Sequence, residues 1–132
     1  MILVDTSVWI DYFNGIDSRH TQALDSALTE STAAIGDLIY LEILQGFRSD
    51  HDFNQAKKAL KTLDTYSLLG ADMMDKCASN YRNLRKRGIT VRKTVDVIIA
   101  TFCIEHKMPL LFLDKDFLPF VNHAGLKPAL KA

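Results

Sequence analysis

Ile2-Leu3-Val4-Asp5-Thr6-Ser7-Val8-Trp9-Ile10-Asp11-Tyr12-Phe13 is the stretch that decides the fold. Three β-favouring apolar residues run into Asp5, Thr6 and Ser7, whose side chains all cap helices, and beyond them the apolar residues follow a helical spacing. A buried strand that feeds directly into a helix is the first half of a β-α-β unit, and it predicts a parallel sheet. The helix is expected over residues 7–14, turning inward either Val8, Trp9 and Tyr12 or Ile10 and Phe13, with Gly15 as its stop.

Outward from there, strand and helix patterns alternate. Helices are expected over 21–28, 37–47, 52–63, 72–87 and 95–106, and further strands over 33–35, 66–69 and 110–113. The 37–47 segment is apolar around most of its circumference and reads as buried, whereas 52–63 carries a stripe of Phe53, Ala56, Ala59, Leu60 and Leu63 opposite Lys57, Lys58 and Lys61. The tail, residues 125–132, has two lysines and one proline and is expected to be loosely held. Strands apolar on both faces and separated by helices define an α/β class with helices on both sides of a mainly parallel sheet.

Composition limits the alternatives. At 132 residues the chain is expected to be one domain, residues 1–132, with room for a core. Sixteen basic against sixteen acidic residues leave no net charge, so any polyanion site has to be local. A hydrophobic content of 48% with only 6 Gly and 3 Pro excludes disordered and collagen-like classes. The apolar start carries Asp5 and Asp11 and lacks a basic flank, so it is expected to be neither signal peptide nor membrane span. Cys77 and Cys103 are isolated and are expected to be reduced packing thiols of a cytoplasmic protein; His20, His51, His106 and His123 form no zinc-ligand spacing.

The chemistry rests on acids at element ends. In an open parallel sheet ligands bind beyond the carboxyl ends of the strands. Asp5 closes the first strand, Asp114 closes the last, and Asp96 lies in the first turn of the helix beginning near Thr94. Glu42, on the second turn of its helix, can reach the same rim from the side, and Asp116 stands two residues beyond Asp114. Two carboxylates 4 Å apart repel by about 4 kcal/mol at an effective dielectric of 20, so a convergence of this kind calls for a cation. With oxygen ligands alone, Mg²⁺ or Mn²⁺ is expected, and such ions lower the pKa of a bound water and bridge phosphate oxygens. Metal-dependent phosphodiester cleavage is the implied reaction. Each acid taken singly also has a plainer role: Asp5 and Asp116 as helix caps, Asp96 as a partner of the helix dipole, and Glu42 with Gln45 and Ser49 as a solvent-facing stripe.

Four stretches together resemble the PIN-domain ribonucleases, specifically VapC-type toxins. They are Leu3-Val4-Asp5-Thr6-Ser7, Leu41-Glu42-Ile43, Val95-Asp96-Val97-Ile98-Ile99-Ala100 and Leu111-Phe112-Leu113-Asp114-Lys115-Asp116-Phe117, in the order and spacing of that family. The likeness spans the chain, with residues 47–93 matching only as helical filler. It implies a three-layer α/β/α fold on a central, mainly parallel sheet of four to five short strands. It also implies catalytic and metal-holding roles for Asp5, Glu42, Asp96 and Asp114, with Asp116 as a further metal acid and Thr6 and Ser7 orienting the acids through hydrogen bonds. The implied activity is Mg²⁺- or Mn²⁺-dependent endoribonuclease cleavage that leaves a 5′-phosphate. The implied partners are RNA, a VapB-like antitoxin and a second copy in a homodimer, and no membrane. The sequence adds Arg82, Arg85, Lys86, Arg87, Arg92 and Lys93, uninterrupted by any acid, as groups able to hold RNA phosphates; a solvated basic helix end accounts for Arg85 to Arg87 equally well.

Other functions have less support. A phospho-acceptor receiver domain needs paired acids after the first strand, where Thr6 and Ser7 stand; the same absence disfavours a haloacid-dehalogenase-like phosphatase, and no GxxxxGK exists for nucleotide binding. A PIN ribonuclease of RNA processing and a non-catalytic PIN-fold binding module stay open, and the latter has no use for the full set of acids.

Overall fold

Leu3 and Val4 are fully buried, so the first strand needs a neighbour on each side. In the computed structural model, which describes residues 1–131, β1 (Ile2–Val4) lies between β2 (Ala33–Gly36) and β4 (Leu110–Leu111), and β3 (Asp64–Tyr66) extends the sheet beyond β2. The order is β3-β2-β1-β4 and every pairing is parallel. The helices are α1 (Thr6–Phe13), α2 (Arg19–Thr29), α3 (Asp37–Gln45), α4 (Asp50–Leu60), α5 (Met74–Lys86), α6 (Thr94–Glu105) and α7 (Leu118–His123), the last preceded by a 3₁₀ turn, Lys115–Phe117. Helix α1 packs on α2 and α3, α3 on α4, and α5 on α6. The result is the expected α/β/α layering, with four strands and all of them parallel.

Local chemistry sets the element ends. Gly15, at φ +73°, follows the end of α1, where an L side chain is disfavoured. Ser18 caps α2 with a reciprocal capping box to Thr21, and Ser49 caps α4 through the Asp52 N–H. On α1, Val8 and Trp9 are buried and Ile10 is 43% exposed, so the Val8-Trp9-Tyr12 face is the inward one. Trp9 donates its indole N–H to the Val4 carbonyl at 3.2 Å and stacks on Phe13, clamping α1 to the strand before it.

Five expectations are corrected. The third strand is Asp64–Tyr66, not 66–69: it is a sheet edge with exposed residues, and the apolar Leu68 that suggested a strand instead plugs the core from the following loop. The last strand stops at Leu111, short of Leu113. Helix α3 is not buried all round, since Leu41 is 56% exposed, and Ala59 of α4 faces solvent. Finally, the tail is docked. Leu110 donates its N–H to the Lys127 carbonyl at 2.9 Å, Ala129 returns one to Leu110 at 2.8 Å, and Leu126 is buried, so the segment covers the open edge of β4. Ala132 lies outside the described residues.

Gly36 ends β2 against the fully buried Leu68, and a methyl group there would overlap the Leu68 isobutyl group. Gly36→Ala is expected to cost about 2 kcal/mol through overpacking alone, measured by urea denaturation, because its φ of −93° suits any residue. An unchanged midpoint would show that Leu68 repacks freely.

Candidate active site

A sheet whose strands all run one way gathers strand ends and helix starts on one rim. Asp5 follows β1, and its N–H donates to the Leu111 carbonyl at 2.9 Å, which ties it to the end of β4. Asp96 is the third residue of α6, Asp114 caps the 3₁₀ turn after β4, Asp116 lies within that turn, and Glu42 sits on the second turn of α3.

Three of these acids are brought into one cluster. Carboxylate oxygens of Asp96, Asp114 and Asp116 lie within 4.8 Å of one another. Asp96 is only 5% exposed, and its buried Oδ2 has no hydrogen-bond partner among the described residues. Such an oxygen is costly unless a cation or donor meets it. The Asp116 N–H donates to Asp114 Oδ1 at 2.9 Å, so Asp114, not Asp116, supplies the cap.

Asp5 and Glu42 lie outside that cluster; Asp5 acts on Asp96 through its charge, and each of the two acids is held by a neighbouring hydroxyl. Asp5 is 6% exposed and makes no side-chain cap bond to α1; Ser7 Oγ donates to its Oδ2 at 3.0 Å. Thr6 Oγ1 donates to Glu42 Oε1 at 2.9 Å across 36 residues of chain. Burial pushes the Asp5 carboxyl up to about 6 against the opposing Ser7 hydroxyl, with the Glu42 charge adding to the rise. Burial also raises Asp96 to about 6; the Asp5 charge and, more weakly, Asp114 and Asp116 reinforce the shift, and Lys93 opposes it. The buried Cys103 thiol is pushed up to about 12 by burial and by Asp5, and both cysteines are free, in keeping with packing roles.

The basic residues separate into two sets. Arg92 Nη2 meets Asp116 Oδ2 at 3.1 Å and Lys93 Nζ stands 3.9 Å from Asp114 Oδ2, so these two act first as counter-charges to the acids. Arg82, Arg85, Lys86 and Arg87 are exposed at the end of α5, and Arg85 lies over the Tyr81 ring at 5.6 Å. The ion pairs of Arg92 and Lys93 with the acids go beyond the phosphate-holding role expected of them from the sequence. The available signal was their position immediately before Asp96 on the rim.

Five acids against two cations, all donors being oxygen, suit a hard divalent ion. A family model described as PIN domain matches residues 2–120. The chain belongs to the PIN domain family. Within that family its relatives are VapC ribonucleases. Ribonuclease VapC11 of Mycobacterium tuberculosis is 32% identical over 131 residues, covering 98% of each chain. Ribonuclease VapC1 of Methanocaldococcus jannaschii is 30% identical over 126 residues, covering 96% of this chain and 85% of that one. VapBC2 from Rickettsia felis, solved bound to a DNA fragment from their promoter, has a TM-score of 0.79 at 16% identity over the whole of both chains. A toxin-antitoxin complex from Klebsiella pneumoniae gives 0.70 at 19%, again over the whole of both chains. At those identities the structural likeness speaks for the fold. No helix of the described residues is long and apolar enough to cross a membrane.

Proposed function

We propose that the whole chain, residues 1–132, is one PIN domain acting as a Mg²⁺- or Mn²⁺-dependent endoribonuclease, the toxin of a toxin-antitoxin pair. One observation carries the metal dependence: Asp96, whose Oδ2 is buried and unpartnered among the described residues, has a carboxylate oxygen within 4.8 Å of oxygens of Asp114 and Asp116. Asp96, Asp114 and Asp5 would hold the ion, with Glu42 and Asp116 completing the acidic set. A divalent ion held there lowers the pKa of a coordinated water and neutralises phosphate charge.

The chain's own residues do the rest. Ser7 fixes one oxygen of Asp5 and Thr6 fixes one oxygen of Glu42, so both carboxylates are oriented before any ligand arrives. Arg92 and Lys93, held by Asp116 and Asp114, offer their remaining donors to RNA phosphates at the rim, and Arg85, Lys86 and Arg87 extend that positive surface. The ribonuclease names of the full-length relatives support RNA as substrate, and the toxin-antitoxin neighbours support a VapB-like antitoxin as partner. A homodimer and a cytoplasmic location complete the proposal.

The test is cleavage of purified total RNA with Mg²⁺ or Mn²⁺ against EDTA, with Asp5→Asn alongside. Discrete fragments that need metal and vanish in the variant are expected. A folded, antitoxin-free sample that leaves all RNA intact overturns the proposal.

A further inference from the structure

A groove of about 370 Å³ runs along β4 between α7, the docked tail and the first turn of α2, apart from the acidic cluster. Its apolar floor includes Phe112 and the part-exposed Leu118, and its rim carries Arg19, His20, Lys115 and Lys131. Among the described residues no acidic side chain lines it. In a chain with no net charge this is a marked segregation: the neighbouring groove between α1 and α2 carries Asp17 and Asp25 and no cation.

We propose that this groove seats the single-stranded RNA segment adjoining the cut site; this rests on the ribonuclease reading above. Lys115 directly follows Asp114, so groove and acid centre share one segment at the carboxyl end of β4. Leu113 and Lys115, on either side of Asp114 in the chain, both line the groove, so the groove borders the acid centre. Single-stranded RNA needs both of the surfaces found here: flat apolar or aromatic side chains for base faces and cations for phosphates. The volume falls in the range of small-ligand pockets. Arg19 donates one N–H to the Lys131 carbonyl at 2.8 Å, which holds the tail as one wall, and among the described residues its other guanidinium donors have no hydrogen-bond partner.

The test uses the full chain carrying Asp96→Asn, so that RNA persists, and a fluorescent short oligouridylate titrated in Mg²⁺ at several salt concentrations. Adding Lys115→Gln and Lys131→Gln leaves the Arg19 bond to the Lys131 backbone in place. This pair is expected to weaken binding about 10-fold and to flatten the log K against log salt slope by about 1.4, because each phosphate contact on a single strand contributes about 0.7. Lys58→Gln with Lys61→Gln, on and after α4, is expected to change neither. Parent protein that binds RNA with a slope unmoved by the groove pair overturns the groove and leaves the ribonuclease reading standing. An unmoved slope with an altered oligomeric mass reassigns the groove to a second copy. Parent protein that binds no RNA, with wild-type protein that cuts none, removes both.

Discussion

Asp96→Asn is expected to lower metal-dependent RNA cleavage by about a thousandfold while leaving the fold intact. The amide keeps the shape of the carboxylate but removes a full charge from the only acid of the cluster that is buried, the one whose Oδ2 has no protein partner. Loss of an outer hydrogen-bond partner of a metal site costs about 10- to 100-fold, and loss of a direct charged ligand should exceed that. Burial makes the effect severe, because water cannot take the place of the missing charge at a position 5% exposed. Single-turnover cleavage at saturating Mg²⁺, with circular dichroism as the control for folding, reads the loss. A purified variant that keeps a tenth or more of the wild-type rate would remove Asp96 from the centre.

The second large effect is on stability. In EDTA the protein is expected to be more stable at pH 5 than at pH 8. Asp5 has a folded pKa of about 6 against an ordinary 3.8, so between those values the folded chain binds more protons than the unfolded chain. Stability therefore falls as pH rises through that window and stays low above it. The full shift corresponds to about 3 kcal/mol, roughly half of it between pH 5 and pH 8. Asp96 titrates in the same range and is coupled to Asp5, so the two behave as a pair and their contributions do not simply add. Asp5→Asn is expected to flatten the profile and to stabilise the metal-free protein at pH 8, and Mg²⁺ at pH 8 is expected to stabilise the wild type. Urea denaturation across the pH series decides it: a wild-type profile that rises from pH 5 to pH 8 in EDTA would show that the acids are solvated and uncoupled.

These two effects concern residues visible in the sequence, because an acid placed directly after an apolar run or in a helix's first turn has its position set by the chain itself. Asp5 after Ile2-Leu3-Val4 and Asp96 after Thr94-Val95 had to reach the rim once the strands were parallel. Helix starts at Ser18 and Ser49 and the stop at Gly15 follow from side-chain chemistry within a few residues. The third strand was misplaced for the converse reason. Asp64 and Thr65 are exposed edge residues with no apolar pattern, held by backbone bonds to β2, while the apolar Leu68 lies in a loop that fills the space over Gly36.

Local order was therefore determined by the sequence alone: the alternation of strands and helices, the caps, the parallel sheet and the acids on its rim. Only the tertiary structure decided that the tail pairs with Leu110, that Arg92 and Lys93 neutralise Asp116 and Asp114, that Thr6 holds Glu42, and that Arg19, Lys115 and Lys131, distant in sequence, share one groove. The reason is physical. Side-chain periodicity and capping act over one or two turns of chain, whereas backbone pairing and ion pairs join groups by distance in space, which no short stretch encodes.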